Sequence, residues 1–281
     1  MAYALSLKRH SPLPGFPLAF AITTLGIGAM VLLPLSTLFF KSSALTLAEL
    51  GAALASERAL AAFRLSFGAS FVAALADAVF GFVVAWVLVR YRFPGRALVD
   101  ALVDLPFALP TSVAGLTLVT IYSQEGWIGR WLEPLGVRVA FTPLGVTLAL
   151  TFVGVPFVVR AVQPVLEDLE VDVEEASATL GATRWQTFRH VVMPALAPPL
   201  LTGFTLAFAR ALGEYGSIVF ISGNMPGRTE IVPLLIVTKL EEYDYAGATA
   251  IAAAMLLVAF ALLVAVGFLH RWTRRSYGAA A

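Results

Sequence analysis

An arginine and a glutamate four residues apart, Arg210 and Glu214, stand inside an otherwise apolar stretch of the sequence. On a helix that spacing places them side by side as an ion pair. The guanidinium could attract a dianion through its charge and a bidentate pair of N–H donors. The same two groups could equally serve as a structural pair that fastens one helix to its neighbours. Asp104, in another apolar stretch, is a third candidate partner that would neutralise the arginine. Thr111 and Ser112 follow it, just after Pro106 and Pro110. Their hydroxyls would hydrate a polar path or re-satisfy backbone carbonyls that the prolines leave free, as Thr117 also would. Asp77 stands alone in a further apolar stretch, where it is expected to cap or pair with an adjacent helix rather than bind an anion it would repel.

Other chemistry is poorly supplied. The chain has no cysteine, and its three histidines, His10, His190 and His270, fall outside or at the edges of the apolar stretches. Neither a metal cluster nor a nucleophile with its base is expected there, so metal and catalytic sites are both read as none. No Gly-x-x-x-x-Gly-Lys-Ser/Thr loop occurs, so the chain does not cradle a nucleotide in the usual way. A net charge of +1 offers no bulk attraction for nucleic acid.

The elements that must position these residues are membrane helices. Of 281 residues, 59% are hydrophobic and 13% charged, whereas soluble domains run near half apolar and a quarter charged. A spanning helix needs about 20 mostly apolar residues. Six segments qualify: 16–40, 65–89, 97–122, 141–162, 196–221 and 247–269. Each must satisfy its own backbone hydrogen bonds in lipid, which leaves helix as the conformation. The expected fold class is therefore an all-α membrane protein with six transmembrane helices. Residues 1–15 form an N-terminal segment, 16–269 the transmembrane domain and 270–281 a tail. The first apolar run is too long for a secretory signal and is read as a retained helix.

Lys and Arg are denser on one side of the six spans, chiefly at Arg90, Arg92 and Arg96 and at Arg271, Arg274 and Arg275. By the positive-inside rule both termini are expected in the cytoplasm. Trp127 and Trp131, between the third and fourth spans, suit a membrane interface. Residues 231–237 are apolar but too short to span, so a helix lying on the surface or dipping partway in is expected.

The connection 163–194 carries the most information. Leu169, Val173, Ala176 and Leu180 recur at helical spacing amid a run of acids, predicting a short amphipathic helix. Gly181 is placed to end it. Thr183 and Gln186 have the form of a capping box that opens a second short helix, and Pro194 opens the fifth span. The result is a hairpin projecting into the cytoplasm. Trp185 and Phe188 are large apolar groups for so exposed a site, which suggests a partner contact.

Glu175, Ala176 and Ser177, three residues, Gly181, nine residues, then Val191, Val192, Met193 and Pro194 resemble the EAA loop of binding-protein-dependent ABC importer permeases. The family pattern is Glu-Ala-Ala, three residues, glycine, nine residues, Ile-x-Leu-Pro; Ser177, Val191 and Met193 depart from it modestly. The resemblance implies the type I importer permease (MetI-like) fold, with this loop as the coupling helix that docks on an ATPase. Glu175 would make a polar contact there, Gly181 would permit the turn, and Trp185 and Phe188 would lie at the dock. The stretches 109–115 and 211–216, running on to Ser222, Gly223 and Asn224, are similar to the sulfate/thiosulfate branch, and molybdate permeases look alike over the same stretches. Thr229, Glu230 and the run 240–245 look closer to the T-type subunit than to its W-type partner.

Several expectations follow from that resemblance. The chain would be a non-catalytic permease subunit in the cell inner membrane, embedded in the lipid bilayer and moving an oxyanion. Its partners would be an ABC ATPase, a second permease of the W type and a periplasmic or extracellular sulfate-binding protein, with no nucleic acid. It would hold no cofactor, since ATP and magnesium would sit on the ATPase. A transporter that must release its cargo gains little from a tight fixed site, which favours the structural reading of Arg210 and Glu214. A molybdate or tungstate permease is the alternative. A secondary transporter should show internal repeats, and the two three-helix halves show none. An intramembrane enzyme lacks its residues.

Overall fold

The computed structural model describes residues 16–278, with the side chains of Pro17, Val171 and 269–278 left out of the description. The expected N-terminal segment 1–15, with Lys8, Arg9 and His10, lies outside the described residues, as do the tail's last residues 279–281 and the side chains of Arg271, Arg274 and Arg275. Every regular element among the described residues is a helix. In chain order these are α1 (Leu18–Ser43), α2 (Leu47–Ala55), α3 (Glu57–Arg90), α4 (Arg96–Val103), α5 (Leu105–Ala108), α6 (Thr111–Tyr122) and α7 (Gly129–Leu132). There follow α8 (Pro143–Asp168), α9 (Val171–Thr179), α10 (Arg184–Leu212), α11 (Gly216–Ile221), α12 (Val232–Glu241) and α13 (Tyr245–Gly278).

Five of these are long and apolar enough to cross a bilayer unaided: α1, α3, α8, α10 and most of α13. The third expected span is not one helix. Its residues divide among α4, α5 and α6, and the prolines explain the breaks. Pro106 sits in the first turn of α5, where its missing N–H costs nothing. Pro110 forces Leu109 out of the helical region, to φ −84° and ψ 135°, and α6 starts anew beyond it. The fifth span is displaced rather than continuous to 221: its helix starts earlier, at Arg184, and ends at Leu212, and α11 begins at Gly216 after a bend. The sixth runs further, since α13 continues without a break into the expected tail.

α3, α8 and α10 form the core, brought close by small residues, as helix packing in lipid requires where no hydrophobic force drives helices together. A Cβ added at Gly81 of α3 would lie 2.8 Å from the Val158 side chain of α8. One added at Gly203 of α10 would lie 2.7 Å from the Val158 backbone. Ala74, Ala85, Val158, Val162 and Leu196 are buried around this junction. Beside it, α12 packs Val232 and Leu235 against Ala59 and Ala62 of α3 and Ile251 of α13. The short apolar helix is therefore present, and it is buried against two long helices. α1 is the opposite case: it buries none of its apolar residues, and its second half lies against α13.

Candidate functional site

The residues of interest gather in two places. In the first, the expected pair exists: Arg210 Nη1 lies 2.6 Å from Glu214 Oε2. Glu214 is buried at 1% exposure, while the Arg210 side chain keeps 35%. The other carboxylate oxygen accepts from the Ser217 N–H at 2.9 Å and its hydroxyl at 3.0 Å. Glu214 thus bridges the end of α10 to the first turn of α11, with both oxygens engaged. That accounts for a buried carboxylate better than a pair alone would.

The bend between α10 and α11 meets the start of α6. A Cβ at Gly216 would fall 2.1 Å from the Thr111 hydroxyl, and one at Gly115 would fall 2.3 Å from the Ser217 carbonyl. At Gly115 the two backbones cross so closely that only glycine fits, while Gly216 faces the Thr111 side chain. So the two separate stretches, 109–115 and 211–216, are brought together, with Thr111 half-buried and Ser112 exposed. Thr117 donates to the Val113 carbonyl of its own helix, not to a carbonyl freed by proline.

Asp104 does not join this group. Its carboxylate is held by Arg160 of α8, Nε to Oδ1 at 2.9 Å and Nη2 to Oδ2 at 2.6 Å. The same guanidinium binds Asp100 at 2.7 Å and Gln163 at 2.6 Å. The reason is register: Asp100 and Asp104 lie one turn apart on the stretch crossing α8, and Arg160 reaches both. This network was legible only as two aspartates four apart in an apolar run. Asp77 also departs from expectation. It is buried in α3 against Gly154 of α8, where an added Cβ would fall 1.9 Å from its Oδ2. It forms no ion pair among the described residues, and its Oδ1 has no hydrogen-bond partner.

The second place is the hairpin. α9 ends in a turn at Gly181 with φ 88°, a left-handed conformation that glycine adopts without strain. Thr183 and Gln186 form the capping box in full. Beyond it, however, there is no separate short helix. α10 starts at Arg184 and continues through one π-helical turn at 188–192 into the span, so the second arm is the base of the fifth span itself. Pro194 lies in the first turn after that loosening, where its missing N–H is tolerated.

Ser177 departs from the family's alanine and gains a partner by it, 2.9 Å from the Thr187 hydroxyl across the hairpin. Glu175 and Ala176 are exposed. Along α9 and its end, Val173 and Leu180 also face outward, and Trp185 joins them at 65% exposure. Phe188 does not: it turns inward against Phe82 and Trp86 of α3, with ring centroids 6.3 and 5.9 Å away. Two charged links went unseen in the sequence. Arg90 at the end of α3 pairs with Glu174 of α9. At the opposite end of α3, Arg58 grips buried Glu230 with two bonds of 2.7 Å. Residues that far apart in sequence leave no local pattern to read.

Five long apolar helices, a broken sixth crossing and a projecting hairpin continuous with one span define a class: a membrane component of a transport system. Residues 77–277 match the family of binding-protein-dependent transport system inner membrane components, and the chain belongs to that family. It is 45% identical over 277 residues to the sulfate transport system permease protein CysT of Escherichia coli K12, covering 98% of this chain and 99% of that protein. It is 50% identical over 260 residues to a probable sulfate transport system permease protein of Nephroselmis olivacea, covering 92% of each. Among solved structures, a bacterial alginate ABC transporter in complex with its periplasmic protein is similar at TM-score 0.75 and 17% identity, covering 91% of this chain and 93% of that one. The MetNI methionine ABC transporter is similar at TM-score 0.52 and 21% identity, covering 75% and 92%. These structures share the fold.

Proposed function

We propose that this chain is the membrane-spanning permease subunit of an ATP-driven sulfate importer, itself non-catalytic. The hairpin end lies in the cytoplasm and docks on a separate ATPase chain, which holds ATP and magnesium. The observation that carries the docking role is the exposed apolar face of Val173, Ala176, Leu180 and Trp185 on a hairpin continuous with α10. Water is a poor neighbour for such a face, and a partner's cleft is a good one. Glu175 stands beside it as the polar contact, and Gly181 makes the turn. Sulfate is the substrate in the names of relatives aligned over nearly the whole chain, which supports the same cargo here.

An oxyanion pathway must attract without trapping. Arg210 keeps part of its guanidinium accessible, while Glu214 leaves the pair neutral, so a passing dianion meets N–H donors but no uncompensated charge. Thr111 and Ser112 lie across the same bend and offer hydroxyls. A binding protein delivers the anion from outside. A second permease chain, which we take to be the W-type homologue, completes the pathway, and the apolar groove bordered by Phe80, Leu102, Pro106 and Phe152 supports a contact of that kind.

Uptake of radiolabelled sulfate in cells with and without the gene tests this reading, with thiosulfate and molybdate as competitors. Loss of uptake on deletion, competed by thiosulfate and not by molybdate, is expected. Intact sulfate uptake with lost molybdate accumulation would overturn the substrate and keep the architecture. Trp185→Asp and Gly181→Pro proteins that still insert should lose the ATPase on purification; retention by both would overturn the docking role.

A further inference from the structure

Chain continuity ties the hairpin to α8 and α10, and a docked ATPase could tilt those two helices directly. The third core helix, α3, has no such covalent tie. It ends at Arg90, and Tyr91 is already extended. Yet the hairpin holds this end from both of its arms. From α9, Glu174 accepts from Arg90 Nη2, in a pair whose side chains are 15% and 28% exposed. From the base of α10, Phe188 packs on Phe82 and Trp86. The Arg90 guanidinium lies 5.7 Å over the Trp86 ring, and Trp185 stacks on Phe188 at 5.6 Å. One connected set of contacts therefore runs from the exposed docking face to the tip of α3.

α3 is suited to carry a displacement onward. It runs 34 residues without a proline or a π turn, a length of about 50 Å at 1.5 Å per residue. Glu174 and Ser177 lie one turn apart on the inward side of α9, so one helix face holds both α3 and Thr187 of α10.

We propose that Glu174 and Arg90 are positioning residues which make α3 move with the hairpin, so that hydrolysis on the ATPase is converted into rearrangement of all three core helices. The inference rests on the docking role of the hairpin. Without this link the ATPase would still dock, on the outward face of α9, and would still tilt α8 and α10. Hydrolysis would then continue with transport failing, which is the mark of uncoupling rather than of lost assembly.

The test uses the full transporter in liposomes, with its ATPase and binding protein, and measures ATP hydrolysed per sulfate moved. Glu174→Gln, which keeps shape and removes charge, should retain the ATPase on purification and raise that ratio by about fivefold or more. The exchanged pair Arg90→Glu with Glu174→Arg should recover more transport than either single change. Because the chain has no cysteine, two can be introduced cleanly at exposed Arg92 and Arg189 for spin labels. Their separation should hold steady between nucleotide states with Glu174 present and change with nucleotide in Glu174→Gln. An unaltered ratio, or no recovery in the exchanged pair, would overturn the link. Loss of the ATPase from Glu174→Gln would also overturn it, placing Glu174 at the dock instead. Failure of Trp185→Asp to release the ATPase would overturn the docking role separately.

Discussion

The two ends of α3 are held by arginines in different ways. At the hairpin end, Arg90 meets one carboxylate, Glu174, and an aromatic ring. At the other end, Arg58 meets Glu230, whose side chain is fully buried, and also Glu242, which Lys239 shares with Asp244. One end is a single half-buried pair; the other is a line of two cations and three carboxylates, Glu230–Arg58–Glu242–Lys239–Asp244, that joins the start of α3 to the two ends of α12. Breaking a single pair frees one contact, whereas breaking into a network strands a buried charge. The difference teaches which end is built to hold still and which to shift.

The largest expected effect tests the fixed end. Arg58→Ala leaves Glu230 buried without its cation and should cost about 3 kcal/mol, read as a fall in thermal inactivation temperature in detergent. Arg90→Ala should cost about 1 kcal/mol by the same assay, since its pair is partly solvated. Equal losses would erase the contrast. Gly115→Ala comes next, at about 2 kcal/mol, because its methyl group would press on the Ser217 carbonyl where α6 crosses α11. Normal stability and uptake in that variant would show that the crossing yields easily.

Arg210→Ala should be worse for stability and uptake than Arg210→Ala with Glu214→Ala, by about 1 kcal/mol, since the single change leaves Glu214 buried without its cation. Matching behaviour of the single and double variants would mean that the pair is not coupled. At the hairpin turn, Gly181→Ala has open space but a left-handed backbone, so it should cost about 1 kcal/mol and weaken ATPase retention slightly.

The smallest effect lies at the rim of the network. The Asp244 carboxyl is held below its usual range by the Gly247 backbone N–H and then by Lys239. A lowered carboxylate pKa contributes stability above its unfolded value near 4, and that contribution fades as pH falls through the lower folded value. Asp244→Asn should therefore cost about 0.5 kcal/mol near neutral pH, and the gap from the natural protein should close as acid protonates the Asp244 carboxylate. A gap that persists in acid would assign the cost to packing.

What was legible in advance followed from local rules. Spans declare themselves because lipid demands about 20 apolar residues in a row, and the hairpin declared itself through spacing, a glycine and a capping box. The Arg210–Glu214 pair was legible because four residues make one helical turn. Such patterns were enough, with the resemblance they carried, to reach the importer family and its fold.

Where local cues had to compete, the sequence spoke less clearly. Hydropathy counts residues without weighing prolines, so the stretch through Pro106 and Pro110 read as one helix although pre-proline geometry breaks it. Phe188 and Trp185 read alike, since nothing in the chain says that Phe82 and Trp86 stand beside one of them. The partners of Asp104, Arg90 and Arg58 were decided only by tertiary structure, because an ion pair depends on which helices lie adjacent and at what rotation. Asp77 makes the same point in reverse: its buried position against Gly154 is set by how closely α3 and α8 approach. By itself, the sequence determined which segments enter the membrane and which loop projects from it, because those follow from composition and helical period. Only the packed structure decided which charges meet, because sequence carries no distances between helices.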